Sequence, residues 1–217
     1  MKRIKQFSAS LILLAVYIIS VGYLAMVVPA DASIPIHWNA RGEIDAYTSK
    51  GGAVLFALGL NIGLFLLMFL LPLYSPRYKQ QAPWFEKVLP KMTFMLLVFF
   101  SLLYLYMLAH PLIRIELPVN PVLIIIGLML AVLGNILPKV PRNFFVGIRT
   151  PWAISDEENW HKTHRVGGKV FLLGGFLMIL SGVVPLSGAV MASLAWLIMA
   201  VVLSPLVYSF VLYLKRK

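Results

Sequence analysis

The chain alternates long apolar runs with short polar segments. Five intervals contain no Asp, Glu, Lys or Arg, and they are 6–30, 51–76, 92–113, 117–138 and 170–214. About 20 apolar residues in a helix span the hydrocarbon core of a bilayer, so each of the first four intervals predicts one transmembrane helix. The fifth interval holds 45 residues. As one helix it would be about 68 Å long, more than twice the ~30 Å of the core, so it predicts two helices.

The break within the fifth interval is predicted at Pro185, Ser187 and Gly188, because proline and glycine interrupt helices. The pattern therefore predicts an all-α integral membrane protein with six spans, at about 6–28, 52–73, 92–110, 120–138, 169–186 and 190–213. We divide it into an N-terminal membrane half, 1–91, and a C-terminal membrane region, 92–217. The first apolar run resembles a signal peptide, but its 22 residues exceed the about 7–15 of such segments, so we expect a retained helix.

The placement of charge gives the expected orientation. The chain is 60% hydrophobic and 12% charged with a net charge of +11, and it has no cysteine, which excludes a soluble domain and a disulfide scaffold. With the N-terminus inside, 16 of the 19 Lys and Arg residues lie in the inner segments, which are 1–5, 77–91, 139–169 and 215–217. The positive-inside rule then places both termini in the cytoplasm. Topology and attraction to anionic lipid explain the basic excess, and no nucleic-acid partner is expected.

The outer loop, about 29–51, reads as a small hairpin. Ile34, Ile36 and Trp38 alternate with other residues, as in a strand with one apolar face, and 39–42 reads as a turn. One interpretation is structural, with Trp38 and Tyr47 at the level of the lipid headgroups. The other is a recognition surface for a peptide, in which an aromatic anchor is flanked by polar residues. The candidate binding residues are His37, Trp38, Asn39, Gly42 and Asp45.

The inner loop, 139–169, predicts an irregular segment followed by a short amphipathic helix. Pro141 and Pro151 disfavour helix in the first part, where we expect Arg149 to bind backbone carbonyls or lipid phosphate. Ser155 with Glu158 forms a capping box, which predicts a helix from Asp156 with Trp160 against the bilayer or neighbouring helices.

Glu157, His161 and His164 would share one face of that helix. A carboxylate and two imidazoles can bind a metal, but no general-base Glu stands between the histidines, so this metal set is weak and we commit to no metal and no cofactor.

The spans offer packing features rather than chemistry. Glycines recur every seven residues in the fifth span, which indicates close helix packing, and we expect either neighbouring helices or Ser204 to satisfy the backbone groups freed by Pro205. No ionisable Asp, Glu, Lys or Arg lies at mid-membrane, which disfavours an ion-coupled transporter. No nucleophile–base set is present in the sequence, so we expect that the protein is not an enzyme.

The inner loop resembles the signature of the SdpI-type family of bacterial membrane proteins. The motif residues are Asn143, Gly147, Arg149, Thr150, Pro151, Trp152, Trp160, His161 and His164. The outer loop from Ile34 to Asn39, with Gly42, Asp45 and Tyr47, is similar to a module often found at the N-terminal end of that family. Arg142 departs from the proline expected there. The resemblance implies a multipass plasma-membrane protein, immunity to a secreted antimicrobial peptide toxin, and signal relay to a cytoplasmic regulator.

Three functions remain open at this point. The first is an interaction protein whose outer loop binds or excludes a membrane-active peptide while the inner loop is structural or reports occupancy to a cytoplasmic regulator. The second is a transporter or exporter of a small or peptidic solute, favoured by the glycine faces and Pro205. The third is a metal-dependent membrane enzyme using Glu157, His161 and His164. The sequence makes no prediction of oligomeric state.

Overall fold

A computed structural model describes residues 2–74, 82–113 and 120–215. Five of the cations counted above lie outside the described residues, and these are Arg77, Lys79, Arg114, Arg216 and Lys217. The chain forms two compact units, one of Met1–Trp38 with Ile44–Glu116 and one of Asn39–Glu43 with Leu117–Lys217. Each is described separately below.

The first unit contains three long helices and a two-stranded sheet. Its elements are α1 (Lys2–Gln6), α2 (Ser8–Val27), β1 (Ser33–Trp38), β2 (Ile44–Ser49), α3 (Lys50–Tyr74) and α4 (Ala82–Ala109), followed by a 3₁₀ turn at His110–Leu112. One end of the unit has a core in which Tyr17, Val21 and Ile34 are almost fully buried. The Lys50 ammonium donates to the carbonyls of Ala25 and Val28 at 3.1 and 3.0 Å, so a cation satisfies the C-terminal end of α2.

The second unit contains the remaining helices and the turn 39–43. Its elements are α5 (Pro121–Ile136), a 3₁₀ turn at Leu137–Lys139, α6 (Pro151–Ser155), α7 (Glu157–Val183) and α8 (Gly188–Leu214). The Asn120 side chain caps α5 by accepting from Val122 and Leu123. The predicted break in the last apolar interval is confirmed, since α7 ends at Val183 and α8 begins at Gly188.

Six helices within the described ranges are long and apolar enough to cross a membrane, and these are α2, α3, α4, α5, α7 and α8. The predicted all-α multipass membrane protein is confirmed at that level. Two helices begin earlier than their apolar runs: α4 begins at Ala82 rather than near 92, and α7 at Glu157 rather than near 169. In both cases charged residues continue the helix beyond the apolar segment, because a helix does not have to end where its membrane-compatible part ends.

The helix predicted to begin at Asp156 therefore forms, but it is not short, since its residues are the first turns of α7. The predicted N-cap, Ser155, is one residue before the observed N-cap. Asp156, in extended conformation, accepts from the Asn159 amide at 2.6 Å and is the N-cap. Ser155 instead ends α6, and its hydroxyl donates to the Trp152 carbonyl. Pro151 does not prevent helix, because it occupies the first turn of α6, where no amide hydrogen is needed.

Close packing of the glycine face is confirmed. A β-carbon at Gly175 would lie 2.5 Å from the Gly127 carbonyl oxygen, and one at Gly168 would lie 2.7 Å from the Gly134 carbonyl oxygen. The α5 and α7 backbones thus touch directly, as small residues permit between membrane helices. The Ser204 hydroxyl donates at 2.8 Å to the Val201 carbonyl, which is the acceptor that Pro205 leaves free in α8, so this prediction is also confirmed.

Candidate functional site

The strands of the predicted hairpin form in the first unit, with a bulge that the sequence pattern did not indicate. Strands β1 and β2 pair antiparallel from Ser33↔Ser49 to Trp38↔Ile44, with register shifts on both sides of His37. The expected alternation of Ile34, Ile36 and Trp38 is wrong at Ile36, because the shift leaves Ile36 without a paired residue and 45% exposed while Ile34 is buried.

The register shift brings two of the candidate residues together. His37 Nδ1 lies 2.5 Å from Asp45 Oδ1, and both side chains are substantially exposed to solvent. Trp38 is half-buried and packs in the same unit against Tyr106 and His110, with ring centroids 6.1 and 6.5 Å away. The strands therefore present the His37–Asp45 pair to solvent, while Trp38, the expected aromatic anchor, is half-buried by its neighbours in the unit.

The turn 39–43, which belongs to the second unit, is built by Asn39 and Gly42. The Asn39 carbonyl oxygen Oδ1 accepts from the amides of Arg41 and Glu43, and its Nδ2 donates to the Glu43 carboxylate at 2.8 Å. Gly42 has a φ of +80°, which a residue with a side chain adopts reluctantly. Both residues thus shape the turn. Of the five candidate residues, only His37 and Asp45, which pair with each other, are exposed to solvent.

The 139–156 loop is organised around Asn143. This buried side chain accepts from the amides of Phe145 and Val146 and donates to the carbonyls of Pro141 and Val146, so both its oxygen and its nitrogen are used. The Arg149 guanidinium donates to the Phe144 carbonyl at 2.6 Å, which confirms the expectation that Arg149 binds backbone. The loop is consequently held by its own side chains.

His164 and Trp160 of α7 hold the other side of this loop. His164 Nδ1 lies 2.8 Å from the Trp160 carbonyl, which can only accept, while Nε2 accepts from the Ile148 amide at 3.0 Å. The ring is therefore the neutral tautomer with hydrogen on Nδ1. Trp160 stacks on it at 4.0 Å and donates from Nε1 to the Val140 carbonyl. Gly147, with a φ of +115°, passes so close that a β-carbon there would overlap Nε2.

This geometry argues against a metal site formed by Glu157, His161 and His164. Both ring nitrogens of His164 are engaged and the residue is buried, whereas His161 is exposed and lies 3.8 Å from Glu157. Across the described ranges, no group of three or more metal-ligating side chains comes together. The three residues do not converge because His164 faces the loop backbone instead of His161.

A buried polar network that the sequence analysis missed joins the loop to α7 and α8. The Ser209 hydroxyl lies 2.7 Å from that of Thr150 and donates to Asn159 Oδ1 at 2.8 Å, while Thr163 donates to the same oxygen. Since the Ser209 hydrogen is used on Asn159, Thr150 is the donor to Ser209. Asn159 Nδ2 donates to the Ser209 carbonyl, and Trp152 packs beside this site on Phe210. The i, i+4 spacing of Asn159 and Thr163, which puts both on one face of α7, was the signal available in the sequence for part of this network.

The family comparisons coincide with these two regions. Residues 139–212 match the family model described as the SdpI/YfhL protein family. Residues 11–60, which contain the hairpin, match a model described as a domain of unknown function, DUF1648. The resemblance noted in both loops is thus confirmed, and the SdpI/YfhL region contains the whole polar network.

One curated relative carries a functional name. The protein named Immunity protein SdpI from Bacillus subtilis (strain 168) is 36% identical over 80 residues, which are 36% of this chain and 39% of that protein. The match therefore spans less than half of either protein. No solved structure matches the chain.

Proposed function

We propose that this protein is a plasma-membrane immunity protein that binds a membrane-active antimicrobial peptide. The observation that carries the proposal is the 36% identity to a protein named as an immunity protein, in a chain whose described residues include six helices apolar enough to cross a membrane. The match of residues 11–60, which contain the exposed hairpin, to a second family model supports a role for this segment. The peptide is bound at the hairpin, where His37 and Asp45 present donor and acceptor groups to solvent.

The SdpI/YfhL region is proposed to report occupancy to a cytoplasmic regulator. Its loop is attached to α7 and α8 by buried hydrogen bonds, so a shift of either helix moves the loop as well. Arg149 and His161 lie exposed beside this core, where a protein partner can reach them. A transporter is not favoured, because the glycine faces that suggested a substrate path are filled by neighbouring helices.

Survival of a peptide-sensitive strain tests the proposal. Cells expressing the chain are exposed to the peptide toxin for which the family is named and to a panel of other membrane-active peptides. We expect protection against at least one peptide, and reduced protection by His37→Ala with Asp45→Ala. The matched control is Asp31→Asn with Ser33→Ala, which changes exposed polar groups just before and at the start of β1. Killing equal to that of the empty vector with every peptide would exclude immunity.

The proposed orientation has both termini and the 139–156 loop in the cytoplasm. The chain has no cysteine, so single cysteines report their own position. Ala40→Cys is expected to react with a membrane-impermeant maleimide in intact cells, whereas Glu157→Cys is expected to react only after the membrane is permeabilised. Both positions are exposed in the structure. The reverse labelling pattern would overturn this orientation and place the hairpin inside the cell.

A further inference from the structure

One flank of the α5–α7 pair carries three cations above a strip of exposed apolar side chains. The helices are antiparallel, since Gly127 meets Gly175 and Gly134 meets Gly168. Successive helical residues turn by about 100°. Asn135 follows Gly134 by one residue and therefore lies about 100° around the α5 axis from it. Arg165 and Lys169 lie about 60° and 100° around the α7 axis from Gly168, in the same direction of rotation. Because the two helices are antiparallel and face each other through these glycines, residues rotated in the same direction lie on the same flank of the pair.

Lys139 completes this flank. Its ammonium donates to Asn135 Oδ1 at 3.0 Å, which fixes the cation beside Asn135 at the end of α5. Lys139, Arg165 and Lys169 are all exposed. The acidic residues of the first turn of α7 have partners of their own, since Glu157 lies 3.8 Å from His161 and Glu158, which is on the same flank, pairs with Lys162 at 2.6 Å. Among the described residues, neither Arg165 nor Lys169 has a carboxylate partner.

The same flank is apolar farther along α7. Leu172 and Phe176 follow Gly168 by four and eight residues, which places them about 40° and 80° from it on this flank. They are 44% and 61% exposed. The α5–α7 flank therefore has cations at one end and uncovered apolar surface at the other. This arrangement matches an amphiphile whose anionic head lies at the membrane interface and whose chains run along the helices.

We propose that the α5–α7 flank, formed by Lys139, Arg165, Lys169, Leu172 and Phe176, is a binding site for an anionic phospholipid. The phosphate lies among the three cations, and an acyl chain lies against Leu172 and Phe176. Charge complementarity identifies the head group, because the three cations lie on one flank and, among the described residues, no ion pair joins Arg165 or Lys169 to a carboxylate. The apolar strip identifies a lipid rather than a soluble phosphate compound, since such a compound has no chain to cover it.

Native mass spectrometry of the purified full chain tests this site. Phosphatidylglycerol is titrated onto the detergent-solubilised protein, with phosphatidylcholine of the same chains as the uncharged comparison. We expect one tight site for phosphatidylglycerol that weakens about 100-fold in the variant Lys139→Gln, Arg165→Gln, Lys169→Gln, equivalent to about 2.8 kcal/mol at 1.4 kcal/mol per factor of ten. Binding should also weaken as ionic strength rises.

The matched control is Lys87→Gln, Lys91→Gln, Lys215→Gln, which removes the same charge from exposed positions elsewhere. It should bind phosphatidylglycerol as the wild type does, and circular dichroism should show equal helix content in all three proteins. Equal loss of binding in both variants would overturn the site in favour of net charge. Equal binding of phosphatidylcholine by the wild type would overturn the anionic head group, and full competition by glycerol phosphate would overturn the lipid.

Discussion

The hydroxyl of Ser209 is expected to stabilise the SdpI/YfhL region more than any exposed serine of the same helix. It accepts from Thr150 at 2.7 Å and donates to Asn159 at 2.8 Å, and its residue is fully buried. Ser209→Ala removes both bonds and leaves the Thr150 hydroxyl without its acceptor. Each hydrogen bond contributes about 0.5–1.5 kcal/mol, and membrane helices average nearer 0.6, so we expect a loss of about 1–3 kcal/mol in the free energy of unfolding.

Ser193→Ala is the matched control. Ser193 also lies on α8, but it is exposed and its hydroxyl donates only to the Ala189 carbonyl one turn earlier. We expect a change within about 0.5 kcal/mol for this substitution. Unfolding in mixed micelles, followed by tryptophan fluorescence and circular dichroism, measures both variants. A double-mutant cycle with Thr150→Val should show coupling between positions 150 and 209. Equal stability of Ser209→Ala and Ser193→Ala would refute the role of the network.

Four further substitutions test other contacts, three of them by the same unfolding measurement and Gly147→Ala by hydrogen exchange. Gly175→Ala should destabilise the protein by about 1–3 kcal/mol, because its β-carbon would meet the α5 backbone. Gly22→Ala has open space at its β-carbon and should stabilise the protein by up to about 1 kcal/mol. Equal effects of the two substitutions would contradict the close packing of α5 and α7. Gly147→Ala should loosen the loop, seen as faster hydrogen exchange of the Ile148 amide, and unchanged exchange would argue against it. Trp160→Phe should cost about 1 kcal/mol through the lost bond to Val140, and no cost would contradict that bond.

The sequence predicted those features that depend on local pattern. The charge-free intervals predicted six spans because desolvating a charge in lipid is costly, and Pro185 with Gly188 marked the break that the structure has. The spacing of Gly168 and Gly175 indicated a close helix contact, which the structure places against α5. Asn39 and Gly42 similarly indicated a tight turn, because their backbone and side-chain preferences act within a few residues.

Features that depend on distant partners were missed. Ser209 bonds to residues 50 and 59 positions earlier, and in the apolar sequence of α8 nothing distinguishes it from an exposed serine. His164 and His161 could share a helical face by spacing, but the approach of Gly147 decides which of them is buried. The cap at Asp156 was misplaced by one residue because Ser155, equally suited to capping, is taken by α6.

Equilibrium binding of the peptide to the purified chain measures whether the hairpin binds it. The protein is placed in lipid nanodiscs, and binding of a dye-labelled peptide that the chain protects against is followed by fluorescence anisotropy. We expect saturable binding that weakens in His37→Ala with Asp45→Ala and is unchanged in Asp31→Asn with Ser33→Ala. Absence of saturable binding, or equal affinity in both variants, would contradict the claim that the hairpin binds the peptide.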